Sequence, residues 1–317
     1  MIKKIFLLLL TIIFIYLLFD YNKKTALKNE KEFAIENTED INKVFLSDRK
    51  GNNIILSKTN NNWIINEKYD VRDDAIKTLL STIEQIEIQR PVSNTSFNNV
   101  IRQLATTGVK VEIYYNNNVK VYTVGSSTPD HLGTYMLMDD AENPYIVHIP
   151  GFNGFLSPRY GIQGYELNIN NWRDNSIFKI NSEEIQKISL LNYNEQEKSF
   201  LIQKEPLRLI NNNSISVKYN INKTVEYFNN FSNIECEKYK GSEIDISNEK
   251  LLFKLNIKHQ GKTDLLEAYS FSKTNKNSNN SKPNVERMYA KLNNGEYMLI
   301  QNYVFNKVFI SIDDLKE

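Results

Sequence analysis

The three histidines are the residues that come closest to metal-binding chemistry. His131 lies in a turn that contains proline and glycine, and Asp139 and Asp140 occupy the next turn. A histidine near carboxylates suits Zn²⁺ or Mn²⁺, but the groups lie in separate loops without His-x-His or His-x₃-His spacing. His148 falls in an alternating strand pattern and His259 at a predicted hairpin tip. We therefore expect solvated turn and strand residues, and we predict no metal site and no cofactor.

Nucleophile signatures are also missing from the sequence. The Gly-x-Ser-x-Gly pattern does not occur, and Ser127 in Gly125-Ser-Ser lacks the strand–turn–helix setting of an activated serine. The single cysteine, Cys236, stands between two glutamates, whose negative charge disfavours a thiolate. The eleven glycines are scattered and form no phosphate-binding loop. These patterns favour a protein that is not an enzyme.

One segment has the composition of a binding surface. Residues 150–165 contain four aromatic side chains, four glycines and two prolines. Aromatic residues and arginine on a loop are typical of protein-binding hot spots. The alternative is an ordered connection whose aromatic side chains plug into two domains. On the first interpretation the partner-binding residues are Phe152, Phe155, Arg159, Tyr160, Trp172 and Arg173.

Length and charge restrict the class of protein. A chain of 317 residues corresponds to about two domains. Its 39 Lys and Arg residues and 38 Asp and Glu residues leave a net charge of +1. No bulk basic field is therefore available for nucleic-acid binding.

The N-terminus predicts attachment to a membrane. Residues 5–19 carry only two polar side chains and follow a pair of lysines. The run is shorter than the about 20 residues of a typical membrane span, but flanking tyrosines and lysines favour a spanning helix. A cleaved secretory signal has the same layout, although no small-residue cleavage site follows. We predict a signal anchor in residues 1–22 and a stalk in residues 23–40. The anchor would pass once through the inner (cytoplasmic) membrane and leave the bulk of the chain extracytoplasmic, in the periplasm.

Residues 41–150 show the patterns of an α+β module. Alternating apolar residues from Ile41 begin a three-stranded meander. A helix follows, with Asp70 or Asp73 as its N-cap, and a second short helix ends before Gly108. The apolar stripe of the first helix consists of Ile76, Leu79, Leu80, Ile83 and Ile86.

The pattern recurs from residue 185, which predicts an internal duplication. The strand that begins at Ile41 returns at Ile185, an offset of 144 residues. Leu209-Ile210 corresponds to Ile64-Ile65 at offset 145, and Tyr297 to Tyr145 at offset 152. The growing offset is absorbed by an Asn/Ser/Lys run at residues 273–282, which is typical of a disordered hairpin tip. The second copy has a shorter helix and no second helix; the apolar stripe of its helix consists of Ile221, Val225 and Phe228.

The predicted fold class is therefore α+β, with two related modules after the N-terminal helix. Each module is a mainly antiparallel sheet with one or two helices packed on a face. The modules occupy residues 41–150 and 181–317, and an aromatic, glycine-rich connector over residues 151–180 joins them.

Several of these pieces together resemble a known family. They are Asn62-Trp63-Ile64-Ile65 in the meander, the Leu79-Leu80 pair, Glu87 to Val92, Val124-Gly125, Tyr135-Met136-Leu137 and Pro144 to Val147. Over residues 41–180 they are similar to the bacterial domain-of-unknown-function family 4340, in its Bacteroidetes-like, membrane-anchored form. The resemblance implies an exported, membrane-tethered α+β protein of unknown biochemistry. Some relatives resemble components found beside ABC-type export or gliding systems.

Three functions are compatible with these patterns. The leading one is a non-catalytic, membrane-anchored extracytoplasmic scaffold or accessory protein that binds a protein partner, as in an envelope export or motility system. The second is a binding module for an envelope polymer or small ligand in a cleft between the modules. The third is a hydrolase with an unrecognised carboxylate or His/Asp site.

Overall fold

The chain folds into two compact units with mixed α and β structure. The computed structural model describes residue 11 and residues 32–60, 62–241, 244–273, 282–283 and 286–317. The units are Met1–Asp174 and Asn175–Glu317. Apart from Thr11, the predicted anchor in residues 1–22 lies outside the described residues, as does most of the predicted hairpin tip. In the part of the chain that the structure describes, no helix is long and apolar enough to cross a membrane.

The first unit is built around a nine-stranded sheet. Its strands are β1 (Ile41–Ser47), β2 (Asn53–Thr59), β3 (Asn62–Ile65), β4 (Tyr69–Asp70), β5 (Glu87–Pro91), β6 (Val109–Tyr115), β7 (Asn118–Ser127), β8 (Thr134–Met138), β9 (Tyr145–His148), β10 (Ile162–Gln163) and β11 (Glu166–Leu167). Its helices are α1 (Asp73–Gln85) and α2 (Asn94–Thr107). The sheet runs in the order β4-β3-β2-β1-β6-β7-β8-β9-β5, and neighbouring strands are antiparallel. Strands β10 and β11 form a separate hairpin.

The two helices cover opposite faces of this sheet. The predicted stripe of α1 is confirmed at Ile76, Leu79 and Ile83, which are buried in the main core. Helix α2 packs through Val100 and Leu104 into a separate, smaller core. On β8, Met136 belongs to the main core, whereas its neighbours Tyr135 and Leu137 contact the smaller one. Because successive strand residues point to opposite faces, the two cores lie on the two sides of the sheet.

The segment before β1 is part of the first unit. The predicted stalk extends to residue 40, but Phe33 and Ile35 are buried in the main core, at 2% and 5% exposure. The Phe33 ring contacts that of Tyr122 at 5.7 Å, and the Ile35 amide donates to the carbonyl of Ile83 at 3.1 Å. The stretch is predicted to be a stalk because its composition is mostly polar. Its two buried apolar residues attach it to the sheet.

The second unit contains another nine-stranded sheet. The strands of the unit are β12 (Ser176–Phe178), β13 (Ile185–Asn192), β14 (Phe200–Gln203), β15 (Arg208–Asn211), β16 (Ser216–Val217), β17 (Ile234–Glu235), β18 (Lys238–Gly241), β19 (Leu251–His259), β20 (Lys262–Tyr269), β21 (Ser272–Lys273), β22 (Lys282–Pro283), β23 (Arg287–Leu292) and β24 (Tyr297–Gln301). Its helices are α3 (Ile221–Asn229) and α4 (Asn302–Phe305). The sheet order is β16-β15-β14-β13-β19-β20-β23-β24-β18, while β12 pairs with β17 and β21 with β22.

The two sheets share one topology. Each strand of the first sheet has a counterpart in the second at the same position in the order. The register agrees in detail, because Ile41 pairs with Tyr115 and Ile185 pairs with His259, and a bulge follows both isoleucines. Both residues of the second pair lie 144 positions after their counterparts in the first pair.

The register corrects two of the predicted offsets. Leu209 occupies the position of Ile65, at offset 144, because Leu56 pairs with Ile65 and Ile202 with Leu209. By the same reasoning the counterpart of Tyr145 is Met298, at offset 153. Each error is one residue, which exchanges the two faces of a strand.

The apolar stripe predicted for α3 is confirmed at Phe228 and wrong at Ile221 and Val225. Ile221 and Val225 are 51% and 49% exposed, and the buried face consists of Thr224, Tyr227 and Phe228. The Tyr227 hydroxyl donates to the carbonyl of Val308 at 2.9 Å, so this polar group is satisfied inside the core. Between β18 and β19, the described residues contain no helix that corresponds to α2.

A truncation of Phe33 tests whether residues 32–40 belong to the core. We expect Phe33→Ala to lower the free energy of unfolding by about 3–5 kcal/mol, because it leaves a cavity beside Tyr122. Urea denaturation followed by circular dichroism measures the change. Tyr303→Ala is the matched control, since Tyr303 is 76% exposed and its loss should change stability by less than about 0.5 kcal/mol. Equal stability of the two variants would contradict this assignment.

Candidate functional site

The segment of residues 150–174, called here the aromatic segment, folds onto the first unit. It contains short 3₁₀ helices at Ser157–Tyr160 and Ile169–Asn171, with the β10–β11 hairpin between them. Its apolar side chains enter the main core of the first unit: Leu156, Tyr160, Ile162, Leu167 and Trp172. The boundary between the units falls after Asp174. The predicted connector of residues 151–180 is therefore divided between the units: residues 151–174 belong to the first, whereas Phe178 and Ile180 are buried in the core of the second.

Three of the six predicted partner-binding residues are buried. Tyr160 and Trp172 are 0% and 1% exposed, and Arg173 is 9% exposed. The Tyr160 and Tyr122 hydroxyls hydrogen-bond at 2.8 Å, and burial raises the pKa of both phenols. The Arg173 guanidinium lies 3.6 Å from the centre of the Tyr69 ring. These three residues attach the segment to the unit, so the prediction that they form a partner surface is wrong.

The other three predicted residues remain partly accessible. Phe152, Phe155 and Arg159 are half-buried. The Arg159 Nε donates to Thr82 Oγ1 at 2.7 Å, and its guanidinium lies 5.0 Å from the centre of the Phe152 ring. The Phe155 ring contacts that of His131 at 5.8 Å. The segment therefore presents two aromatic side chains and one arginine on a backbone that the core immobilises.

A buried carboxylate holds the far end of the segment in place. Asp48 accepts hydrogen bonds from the amides of Leu167 at 3.0 Å and of Lys50 and Asn52 at 2.9 Å. Burial acts to raise the pKa of Asp48, but the hydrogen bonds that its carboxylate accepts from Leu167, Asn52 and Lys50 bring the pKa below its ordinary value. An ionised Asp48 thus links the β1–β2 turn to β11.

A pocket of about 220 Å³ lies between α1 and the aromatic segment. We call it the arginine pocket; its lining residues are Arg72, Asp74, Ala75, Thr78, Pro158, Arg159, Gly161, Gln163, Asn171 and Trp172. Arg72 forms an ion pair with Asp74 through Nε and Nη2, at 3.0 and 3.2 Å. Within the part of the chain that the structure describes, Arg159 has no carboxylate partner.

The N-terminus of α1 lies in the wall of this pocket. The predicted N-cap at Asp70 or Asp73 is not formed, because Arg72 holds that position and its side chain makes no capping bond. Arg72 is fixed by its amide, which donates to the carbonyl of Trp172 at 2.8 Å. The first turn of α1 is therefore fixed by its contact with the aromatic segment rather than by an acidic N-cap.

Sequence reasoning missed this pocket. Arg72 and Arg159 lie far apart in the sequence and become neighbours only when the aromatic segment packs on α1. A weak signal was present, since Arg72 directly precedes the acidic start of a predicted helix. A start with Asp73 and Asp74 is explained equally well by the helix dipole.

Two larger pockets have a different character. One of about 690 Å³ in the second unit is lined by both lysines and glutamates, and its Lys204 Nζ donates to the carbonyls of Ser182 and Glu183. One of about 490 Å³ in the first unit contains Lys120, whose Nζ donates to the carbonyl of Ala34. In both pockets a lysine is already held by the protein's own groups.

The histidines do not form the arrangement considered from the sequence. His131 Nδ1 lies 3.0 Å from Ser127 Oγ, and His259 Nε2 lies 2.8 Å from Asp264 Oδ2. Among the described residues, no group of three or more His, Cys, Asp or Glu side chains could hold a metal ion. The Ser127–His131 pair was missed because sequence reasoning sought partners for His131 in the following turn.

The fold defines a two-unit α+β protein in which each unit has a nine-stranded antiparallel sheet. A model of the domain of unknown function DUF4340 matches residues 63–251, more than half of the chain. The protein therefore belongs to the DUF4340 family. The match extends beyond residue 180, where the resemblance seen in the sequence ends, and so includes part of both units. No curated protein and no solved structure matched the chain.

A glycine substitution tests how tightly the aromatic segment is packed. Gly161 has φ +67°, and a Cβ there would lie 2.5 Å from Trp172 Nε1. Gly151 also has positive φ, at +77°, but a Cβ there meets nothing within 4 Å. We expect both alanine variants to lose about 1 kcal/mol from backbone strain. Gly161→Ala should lose about 1–3 kcal/mol more through overpacking.

Urea unfolding followed by tryptophan fluorescence measures both losses. Gly161→Ala should also shift the Trp172 emission in the folded state, whereas Gly151→Ala should leave it unchanged. Equal losses in the two variants would mean that the segment moves away from the core at low cost.

Proposed function

We propose that the protein is a non-catalytic, membrane-anchored scaffold or accessory protein that binds a protein partner outside the cytoplasm. The anchor in this proposal is the apolar run of residues 5–19 behind two lysines. Its orientation, with the folded units in the periplasm, follows from the resemblance of this N-terminus to a signal anchor. The partner surface is the exposed part of the aromatic segment.

The observation that carries the proposal is that some side chains of the aromatic segment are buried in the core while others stay partly exposed. Tyr160 and Trp172 enter the core, while Phe152, Phe155 and Arg159, which directly precede Tyr160 in the chain, stay partly exposed. Aromatic and arginine side chains held on an ordered backbone lose little conformational entropy on binding. This is the composition of an interface hot spot.

The repeated topology supports a scaffold. We infer that the two units arose by duplication, because they share strand order, register and the bulge after Ile41 and Ile185. The first unit carries α2 and the β10–β11 hairpin on this common framework, whereas the segment after the last paired strand packs on the core in both units, as residues 150–174 and 302–317. One copy thus has elements that the shared sheet does not require, and such additions are where a binding function is expected.

Photocrosslinking in intact membranes tests the proposal. A photoreactive phenylalanine analogue at Phe155 of the full-length protein should capture one partner in a stoichiometric complex. Phe152→Ala combined with Arg159→Ala should reduce that capture at least about tenfold, because hot-spot truncations typically cost more than 1–2 kcal/mol. Phe97→Ala combined with Arg102→Ala on α2 is the matched control and should leave capture unchanged.

Protease accessibility tests the extracytoplasmic location of the two units. In spheroplasts, added protease should digest both units while the cytoplasmic marker proteins stay intact. Protection of the units would contradict the extracytoplasmic orientation. Capture that persists in the Phe152/Arg159 double variant would contradict the assigned surface.

The Ser127–His131 contact supports a second candidate, a serine hydrolase. A serine within hydrogen-bond distance of a histidine is the minimal activated nucleophile, and the distance here is 3.0 Å. Against it, His131 is exposed, and neither residue lines any of the three pockets described above. Without a pocket around the pair, nothing described holds an acyl group against the serine.

A fluorophosphonate probe separates the two candidates. We expect no labelling of the purified full-length protein, and identical background for Ser127→Ala and Ser126→Ala. Covalent labelling that Ser127→Ala abolishes and Ser126→Ala retains would overturn the non-catalytic proposal. Mass spectrometry of the tryptic peptide assigns any modified residue.

A further inference from the structure

We propose that the arginine pocket binds a carboxylate group projecting from the partner, such as an acidic side chain or a chain terminus. The inference rests on the proposed function and names the chemistry that its surface recognises. Arg72 and Arg159 supply two guanidinium groups, and Asp74 is the one acidic residue in the lining. One positive charge is therefore in excess, which matches a carboxylate with its single negative charge.

The Arg159 guanidinium is held in place without an ion-pair partner among the described residues. Thr82 Oγ1 donates to the carbonyl of Thr78 at 2.6 Å and accepts from Arg159 Nε at 2.7 Å. This chain of hydrogen bonds fixes the guanidinium through Nε only. In the described residues its two terminal nitrogens make no hydrogen bond. Those nitrogens are the donors that bind a carboxylate in the bidentate geometry of arginine.

Arg72 already makes the kind of contact proposed. It holds the Asp74 carboxylate through two hydrogen bonds at the edge of the pocket. The Asp74 side chain is 75% exposed, and exposed ion pairs contribute at most about 1 kcal/mol. An incoming carboxylate that contacts both arginines can therefore displace Asp74 into solvent at little cost.

The helix terminus at the pocket is open, whereas its counterpart is closed. In α3 of the second unit, the Asn220 side chain accepts from the amides of Asn222 and Lys223 and caps the helix. In α1 the first-turn amides receive no such cap from Arg72. Asp73 and Asp74 lie in this first turn and already face the positive end of the helix dipole, so the attraction for an anion rests on the two arginines.

The wall of the pocket contains the buried Trp172 side chain, whose Nε1 packs against Gly161. Trp172 is 1% exposed, and its Nε1 has no hydrogen-bond partner within the described part of the chain. The volume of about 220 Å³ lies below the about 300–1,000 Å³ of sites for whole drug-sized molecules. The pocket therefore suits one functional group carried by a larger partner rather than a complete cofactor.

Small probes test this site on the full-length protein in detergent micelles. The probes are N-acetylglycine, its neutral amide N-acetylglycinamide, and methyl phosphate, each titrated at constant ionic strength. Saturation-transfer NMR reports binding of the probe. Fluorescence of a Trp63→Phe background reports its location, because the chain has two tryptophans and only Trp172 lines the pocket.

We expect N-acetylglycine to bind saturably and its amide not to bind. Arg159→Gln should weaken binding about tenfold or more, since a hydrogen bond to a charged group contributes about 1.5–3 kcal/mol. Arg159→Lys keeps the positive charge but loses the bidentate geometry of the guanidinium. Its affinity for N-acetylglycine should therefore lie between those of the wild type and Arg159→Gln. Arg102→Gln, an exposed arginine on α2, should bind as the wild type does.

Three results would overturn the inference. They are an absence of saturable N-acetylglycine binding, equal binding by the amide, and tighter binding by methyl phosphate than by the carboxylate. A thermal unfolding curve for each variant shows whether it is folded, and Arg72→Gln gives a second route to the same loss. If the partner is captured at Phe155 but no probe binds, the pocket inference fails and the scaffold proposal stands. If the carboxylate binds but no partner is captured, the scaffold proposal fails and the pocket stands.

Discussion

The burial of Tyr160 against Tyr122 is the interaction on which the candidate site depends. A phenol that enters an apolar core must find a partner for its hydroxyl, and here two tyrosines satisfy each other at 2.8 Å. The pair fixes the 3₁₀ helix Ser157–Tyr160, and therefore the position of Arg159 beside α1. Truncating a buried aromatic side chain costs about 3–5 kcal/mol. Together with the burial of Leu156, Ile162, Leu167 and Trp172, that energy opposes the entropy lost when the glycine-rich segment is ordered.

The duplication that we infer accounts for the common topology of the two units, and divergence after it accounts for the arginine pocket of the first. The shared sheet needs one helix on its main core, which α1 and α3 provide. In the second unit Asn220 closes the start of that helix with its own side chain. In the first unit Arg72 forms no such cap, and the helix start lies in the wall of the arginine pocket. The same framework thus supports a closed helix end in one copy and an accessible one in the other.

Much of the fold could be read from the sequence, because it depends on local periodicity. The stripe of α1 and the alternation from Ile41 were sufficient to place a helix and a strand correctly. The errors about which side chains are buried have one cause, which is that burial depends on tertiary neighbours. Ile221 and Val225 lie on a nine-residue helix whose other face is filled by Tyr227. An apolar pattern cannot show that a tyrosine finds a carbonyl partner in the core.

The candidate site was less predictable for the same reason. Aromatic residues with glycine and arginine describe both an interface and a packed loop, so composition could not separate Tyr160 from Phe155. Their difference is 0% exposure for Tyr160 against a half-buried Phe155, and it arises from where the segment meets the first sheet. The approach of Arg159 to Arg72 depends on the same contact, which no local pattern contains.

The convergence of these arginines also needs a physical reason. Asp74 neutralises Arg72, but the half-buried Arg159 loses hydration and has no carboxylate counter-ion among the described residues. An arginine that served stability alone would be paired with a carboxylate of the same chain. Arg287 is an example, because its Nε lies 2.6 Å from Glu237 Oε2. Arg159 is instead fixed by a neutral hydroxyl and an aromatic ring. Such local costs are typical of positions retained for binding rather than for folding, and a partner that brings the missing carboxylate would remove this one.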